Sequence, residues 1–223
     1  MDILNLLGTA WYYLPVIFDM ANESKGIREF NILKNIAIEG EPVVEINKPY
    51  YQYNILEAWD PISLEGAPLF FGLTGPRGKQ QVFDHFYRHY GIDPLQFINL
   101  IHPRSYTAPS VELEFGIMLE PGVIIASQTR IGYGVTIKRG TTVGHHVILE
   151  EYTEINPGVT ISGNVHIGRA CILGSGCVIR DQVRVGEKCI IGMGSVVTHD
   201  IPPGVIAYGN PCKVIKKNDK WGI

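Results

Sequence analysis

The chain has 223 residues, 45% apolar and 18% charged, with a formal net charge of −3. That length accommodates one large or two modest domains of soluble globular composition. The charge balance excludes a global attraction to nucleic acid or anionic membrane, and no apolar stretch approaches the roughly 20 residues that span a bilayer.

The first element, "MDILNLLG", reads as a buried strand. Asp2 and the lack of a basic residue before the short apolar run argue against a secretory signal, so a cytoplasmic location is expected. "TAWYYLPVIFDMANESKG" has helical character, with Pro15 near its start and Gly26 past its end. "REFNILKN" is the next strand, ending in Lys34 and Asn35, and residues 39–66 read as an irregular insertion rich in Pro, Tyr and Glu. "APLFFGLTG" is a further strand candidate. "RGKQQVFDHFYRHYG" is an amphipathic helix ending at Gly91, and "QFINLIH" is a strand leading onward. Alternating strands and helices predict a small parallel α/β, Rossmann-like domain over residues 1–102.

A different period then takes over. Every sixth residue from Leu113 to Val197, fifteen positions in all, is Leu, Ile or Val. Four residues after each of the first fourteen comes valine or something smaller, Ile117 excepted. A period of six fits neither a 3.6-residue helix nor a hairpin ladder, and it is the signature of a hexapeptide β-helix. Three hexads make a coil of 18 residues, so the run predicts about five coils over residues 103–200, stacked roughly 4.8 Å apart. Residues 18 apart become vertical neighbours. Cys171 and Cys189 stack in this way, and the cysteines read as small reduced core residues, without the C-x2-C spacing of a zinc site. Residues 201–223 leave the register and, with Pro202, Pro203, Gly204, Gly209 and Pro211, read as a capping loop and tail.

His145 and His146 fall outside the aliphatic register, at the third and fourth places of their hexad. The third lies at a prism corner and the fourth is expected to begin the next face, pointing out. One coil beyond His145 stands Gly163. A glycine over a histidine leaves a gap with an accessible N–H, where a thioester carbonyl could lie with a base on one side and an oxyanion donor on the other. Imidazole titrates near neutrality and can take the proton of an attacking amine or hydroxyl, so direct transfer needs no covalent intermediate and no metal.

Three stretches, "INLIHPRSYTAPS" (98–110), "GHHVILEEYTEINPGVTISGNVHIG" (144–168) and "SVVTHDIPPGVIAYGNPCKVI" (195–215), together resemble the bacterial sugar acetyltransferases of the left-handed β-helix type. This family includes sialic acid O-acetyltransferases and UDP-4-amino-sugar N-acetyltransferases. The resemblance implies a mainly β fold, a homotrimer, acetyl-CoA as cosubstrate, and an acceptor amine or hydroxyl on a sugar of bacterial surface glycans. It places the base at His145 and an acidic position at Glu151; Glu150, Glu151 and Glu154 are the candidates for the carboxylate that orients the ring. It implies cofactor contacts at Gly163, Ser175, Gly192, Gly194 and Lys213, and acceptor contacts at Gly8, Thr9, Gly75 and His146. Lys216 and Lys217 would join Lys213 near the phosphates of CoA. His166 and His199 read as surface residues.

The chain departs from that family at several places. "LGTAWYYLP" keeps only Gly8 of a glycine-rich turn that would cradle a phosphate. The N-terminal domain is therefore either a nucleotide-sugar site or a packing domain whose pocket aromatics have filled. "TGPRGK" is either an anion-binding turn or a solvated one. His146 and Glu154 stand where the family has an acidic residue and a histidine. Two other functions compete: a catalytically degenerate paralogue, and a zinc-dependent carbonic anhydrase on the same prism, whose H-x4-H pair is missing here.

Overall fold

The computed structural model describes residues 3–34, 50–56 and 66–219. The N-terminal sheet is all parallel, in the order β3-β2-β1-β4, from β1 (Ile3–Leu7), β2 (Glu29–Leu33), β3 (Gln52–Leu56) and β4 (Leu69–Phe71). Helix α1 (Leu14–Lys25) crosses from β1 to β2, and α2 (Pro76–Tyr90) follows β4. Each begins with proline in its first turn and ends on a left-handed glycine, Gly26 at φ 73° and Gly91 at φ 64°; Pro15 and the two glycines are expected from the sequence, whereas Pro76 extends the second helix one residue further back. Strand β3 corrects the reading of an irregular insertion. Asn5, Asn31 and Asn54 form a side-chain ladder across β1, β2 and β3. The strand is hidden by its surroundings, a stretch rich in Pro and Glu, which are depleted in strands. The insertion's remaining residues, 39–49 and 57–65, and Asn35 lie outside the described residues.

From Leu100 to Val197 the chain winds as seventeen two-residue strands, one every six residues, in three parallel sheets. Face 1 carries Leu100–Ile101, Met118–Leu119, Thr136–Ile137, Glu154–Ile155, Ile172–Leu173 and Ile190–Ile191. Face 2 runs from Tyr106–Thr107 through Thr142–Val143 to Val196–Val197, and face 3 from Glu112–Leu113 through His166–Ile167 to Arg184–Val185. Every pairing joins residues 18 apart, as with Thr142↔Thr160. This is the left-handed hexapeptide β-helix, and it starts two hexads earlier than the aliphatic register suggested. Ile101 and Thr107 fill the first two rungs. Thr107 breaks the run of aliphatics, which is why the register seemed to begin at Leu113.

The interior stacks Leu, Ile, Val and three buried cysteines that are free thiols. The Cys189 N–H points to Cys171 Sγ at 3.4 Å, one coil below, and burial pushes the Cys171 thiol up. Buried Thr129, Thr141, Thr153 and Ser195 each donate a hydroxyl proton to a corner carbonyl, so they sit inside the prism without an unpaired polar group. Beyond Val197 the chain does more than cap. Val205–Tyr208 pairs in parallel with Ile190–Ile191, and Lys213–Lys217 turns back antiparallel to it, so face 1 ends in a hairpin.

The N-terminal domain rests on face 1 and the adjoining corner. Phe71, Phe97, Tyr133 and Tyr152 form the aromatic seam, with the Phe71 and Phe97 rings 4.7 Å apart and Phe71 and Tyr133 5.9 Å apart. Leu100 and Met118 join the core beneath α1.

Candidate active site

His145 and His146 occupy the corner between faces 2 and 3, both exposed. His146 does not begin a face. It is part of the turn, in the left-handed region at φ 56°, and the next strand starts at Ile148. The coil above carries Gly163 at the same corner. A Cβ built there would lie 2.7 Å from His145 Cε1 and 2.8 Å from Nε2. The expected gap over the histidine is thus taken up by the imidazole, whose Cε1–Nε2 edge rests on the glycine. The His145 Nδ1 atom is 3.0 Å from Nδ1 of His146.

The proposed carboxylate partners are elsewhere in the chain. Glu154 is on face 1, buried beneath the N-terminal domain, where Lys138 Nζ donates to its Oε1 and to Asn156 Oδ1. Glu151 lies at the corner between faces 3 and 1, where its carbonyl accepts the Ala170 N–H at 2.8 Å. Glu150 is engaged by another histidine. His166 Nε2 meets its Oε1 at 2.7 Å, and its Oε2 accepts the Arg169 N–H. His166 also lines an open groove of about 620 Å³ on face 3 with Arg184, Gly168, Gly186 and Pro203. The hexad register gave no sign of this pairing, although residues 16 apart on adjacent coils are where one would look for it.

The expected cofactor contacts divide between two corners. Gly163 shares the His145 corner, whereas Ser175, Gly192 and Gly194 lie at the corner between faces 1 and 2. Face 2 separates the two groups. Lys213 is exposed on the closing hairpin, with Lys216 and Lys217 along the same strand.

Of the expected acceptor contacts, Gly8 fails for a phosphate. Its N–H donates to the Leu33 carbonyl at 2.9 Å, and its carbonyl is so close to Gly72 that a Cβ on the latter would stand 2.0 Å away. Gly8 at φ 81° serves this close approach of two loops. Trp11 and Tyr13 are buried beside it, while Tyr12 is exposed. Thr9 follows at the same sheet edge. Gly75 begins α2 and stands over Glu154, at 3.9 Å from its Oε2 to a built Cβ. The ends of β1 and β4 thus look onto face 1 across a polar layer the sequence reading did not foresee. The Tyr13 hydroxyl donates to buried Glu120 at 2.7 Å, Arg139 Nη1 pairs with the same carboxylate, and Lys79 Nζ donates to Gly134 O and Thr136 Oγ1. The Thr74 hydroxyl is buried there without a partner. Among the described residues no cluster of three metal-ligating side chains is present, and no helix is long and apolar enough to cross a membrane.

Residues 164–199 match the family model of the bacterial transferase hexapeptide (six repeats). No curated protein sequence matches the chain. Solved structures do. A histidine-to-asparagine variant of perosamine N-acetyltransferase from Caulobacter crescentus, in complex with CoA and GDP-perosamine, superposes with a TM-score of 0.78 at 23% identity, covering 97% of this chain and 98% of that one. The acetyltransferase domain of PglB from Neisseria gonorrhoeae, in complex with acetyl coenzyme A, gives 0.75 at 21% identity over 96% and 98%. WeeI from Acinetobacter baumannii gives 0.72 at 19% identity over 96% and 100%. The chain shares the whole two-part fold of these proteins, N-terminal sheet and β-helix together.

Proposed function

We propose that the protein is an acetyl-CoA-dependent acetyltransferase that acylates an amine or hydroxyl of a sugar, with a nucleotide-linked amino sugar as the first acceptor class to test. The observation that carries this reading is the exposed imidazole of His145 seated on Gly163 at a prism corner. Support comes from the fold, shared over nearly the full chain with a perosamine N-acetyltransferase that binds CoA and GDP-perosamine. In the reaction the acceptor's lone pair attacks the thioester carbonyl. His145 Nε2 takes its proton, the C–S bond breaks, and the CoA thiolate leaves. Charge on the tetrahedral oxygen is stabilised by backbone N–H groups of the corner.

The divided cofactor residues are reconciled by a homotrimer. Face 2 presents Tyr106, Ile124 and Val178 outward, at 57%, 48% and 37% exposure, with the uncharged Thr142 and Thr160 between Ile124 and Val178 on the same flat face. Three protomers packed on face 2 about a threefold axis bring the His145 corner of one against the Ser175 and Gly194 corner of the next. The active site is then a cleft between protomers.

The test is thiol release from acetyl-CoA with a panel of nucleotide-linked amino sugars and free sialic acid, with light scattering on the same samples. His145→Ala is expected to lower kcat by about 10²- to 10⁴-fold. No release with any acceptor would favour a degenerate, binding paralogue. A stable monomer would remove the inter-protomer site.

A further inference from the structure

The two histidines are joined ring to ring. Their Nδ1 atoms lie 3.0 Å apart and their planes cross at 88°. The backbone under His146 is fixed by the coil: its N–H donates to the Ser127 carbonyl at 3.0 Å, and its left-handed φ repeats at Gln128, Asn164 and Gln182, one coil apart. A contact between two imidazole nitrogens at that distance needs a proton on one and a lone pair on the other.

Two arrangements satisfy it. If His146 donates, His145 carries its own proton on Nε2 and has no lone pair there. If His145 donates, Nε2 is bare and can act as a base. The surroundings favour the second. The Cε1–Nε2 edge of His145 faces the Gly163 methylene, and Nε2 makes no hydrogen bond among the described residues. An N–H aimed at that methylene finds no acceptor among the described residues, whereas a lone pair placed there is what a base requires. The His146 ring is exposed, so its Nε2–H is free to reach solvent.

We propose that His146 is a positioning residue that accepts the Nδ1 proton of His145 and so holds the base with its lone pair over Gly163. This rests on the reading of His145 as the base. When the acceptor's proton arrives at Nε2, His145 becomes an imidazolium whose Nδ1–H still bonds neutral His146. The added proton is returned from Nε2 to the departing thiolate. The partner is a neutral ring and not a carboxylate, so the pair holds one added proton without an ion pair.

The experiment uses the full chain, with ¹⁵N-labelled imidazoles, and compares His146→Gly, His146→Glu and His146→Lys. Glycine suits the positive φ, and Gln128 and Lys188 show that long side chains are accepted in that conformation. In the native chain His145 is expected as the Nδ1–H tautomer and His146 as Nε2–H. In His146→Gly the His145 proton moves to Nε2, the form an isolated imidazole prefers in water, and kcat falls about tenfold with the acetyl-CoA KM unchanged. Glutamate, an acceptor, restores both the tautomer and most of kcat. Lysine, a donor only, restores neither. A His145 that stays Nδ1–H in His146→Gly, or lysine performing as well as glutamate, overturns the proposal. Full activity of His145→Ala would instead overturn the reading of His145 as base, while the spectra still decide the pair.

Discussion

The His145 imidazole rests where a side chain on Gly163 would be, 2.8 Å from Nε2 to a built Cβ. Gly144 is bare for a different reason: a Cβ there would meet the Ser162 carbonyl carbon of the next coil at 2.6 Å. One glycine admits a movable ring and the other admits unyielding backbone.

That difference separates function from stability. Gly163→Ala pushes aside the exposed end of a side chain, so unfolding free energy is expected to stay within about 0.5 kcal/mol of native. The displaced base should lower kcat by roughly 10²-fold. Gly144→Ala should cost more than about 2 kcal/mol, because two coils must part. Urea unfolding and steady-state kinetics on both variants check this; a Gly163→Ala enzyme with native kcat would mean the ring's seat is unimportant.

The N-terminal sheet has its own close approach. A Cβ at Gly72 would lie 2.0 Å from the Gly8 carbonyl oxygen. Gly72→Ala is therefore expected to destabilise by more than about 2 kcal/mol. Thermal melts measure this loss. An unchanged melting temperature would show that the loops can separate and would return Gly8 to consideration as a ligand contact.

Much of this architecture is legible in the sequence. The six-residue period identifies the prism, and the 18-residue coil places Gly163 over His145 by addition alone. The helices are marked by Pro15 and by Gly26 and Gly91. What escaped was set by side-chain geometry between coils. Glu150 reaches His166 and not His145, and Glu154 turns beneath the N-terminal domain to Lys138. Sequence spacing assigns a residue to a face or corner but not to the neighbour its charge will find. Strand β3 escaped for another reason: it lies within a stretch rich in Pro and Glu that reads as irregular, although its QYNIL resembles the EFNIL of β2.

The closing hairpin puts Lys213, Lys216 and Lys217 on one exposed strand. Replacing all three with Gln is expected to raise the acetyl-CoA Kd several-fold and to flatten its salt dependence, with kcat at saturation unchanged. Calorimetric titration at two ionic strengths reads this. An unchanged Kd would leave the lysines as solubilising charge on the end of the prism.

Lys79 makes stability depend on pH. Its amine is buried between α2 and the β-helix, donating to Gly134 O at 2.8 Å and to Thr136 Oγ1, and lying 5.4 Å from the centre of the Phe71 ring. Burial lowers its pKa to about 7; nearby Glu154 opposes the shift and Lys138 adds to it. In the unfolded chain the same amine titrates near 10.5. From about pH 7 to 10.5 the unfolded chain binds more protons at this site than the folded one, so the contribution to stability rises with pH. Below that window both states are charged and the cost of burying the ammonium is fully present. Lys79→Met removes the titration, although it leaves Gly134 and Thr136 without their donor. The native-minus-variant unfolding free energy is therefore expected to climb between pH 7 and 9, by at most about 1.4 kcal/mol per pH unit. Urea unfolding at three pH values measures it. Parallel curves for the two proteins would mean that the amine stays charged in the fold, held by Glu154 more strongly than burial opposes it.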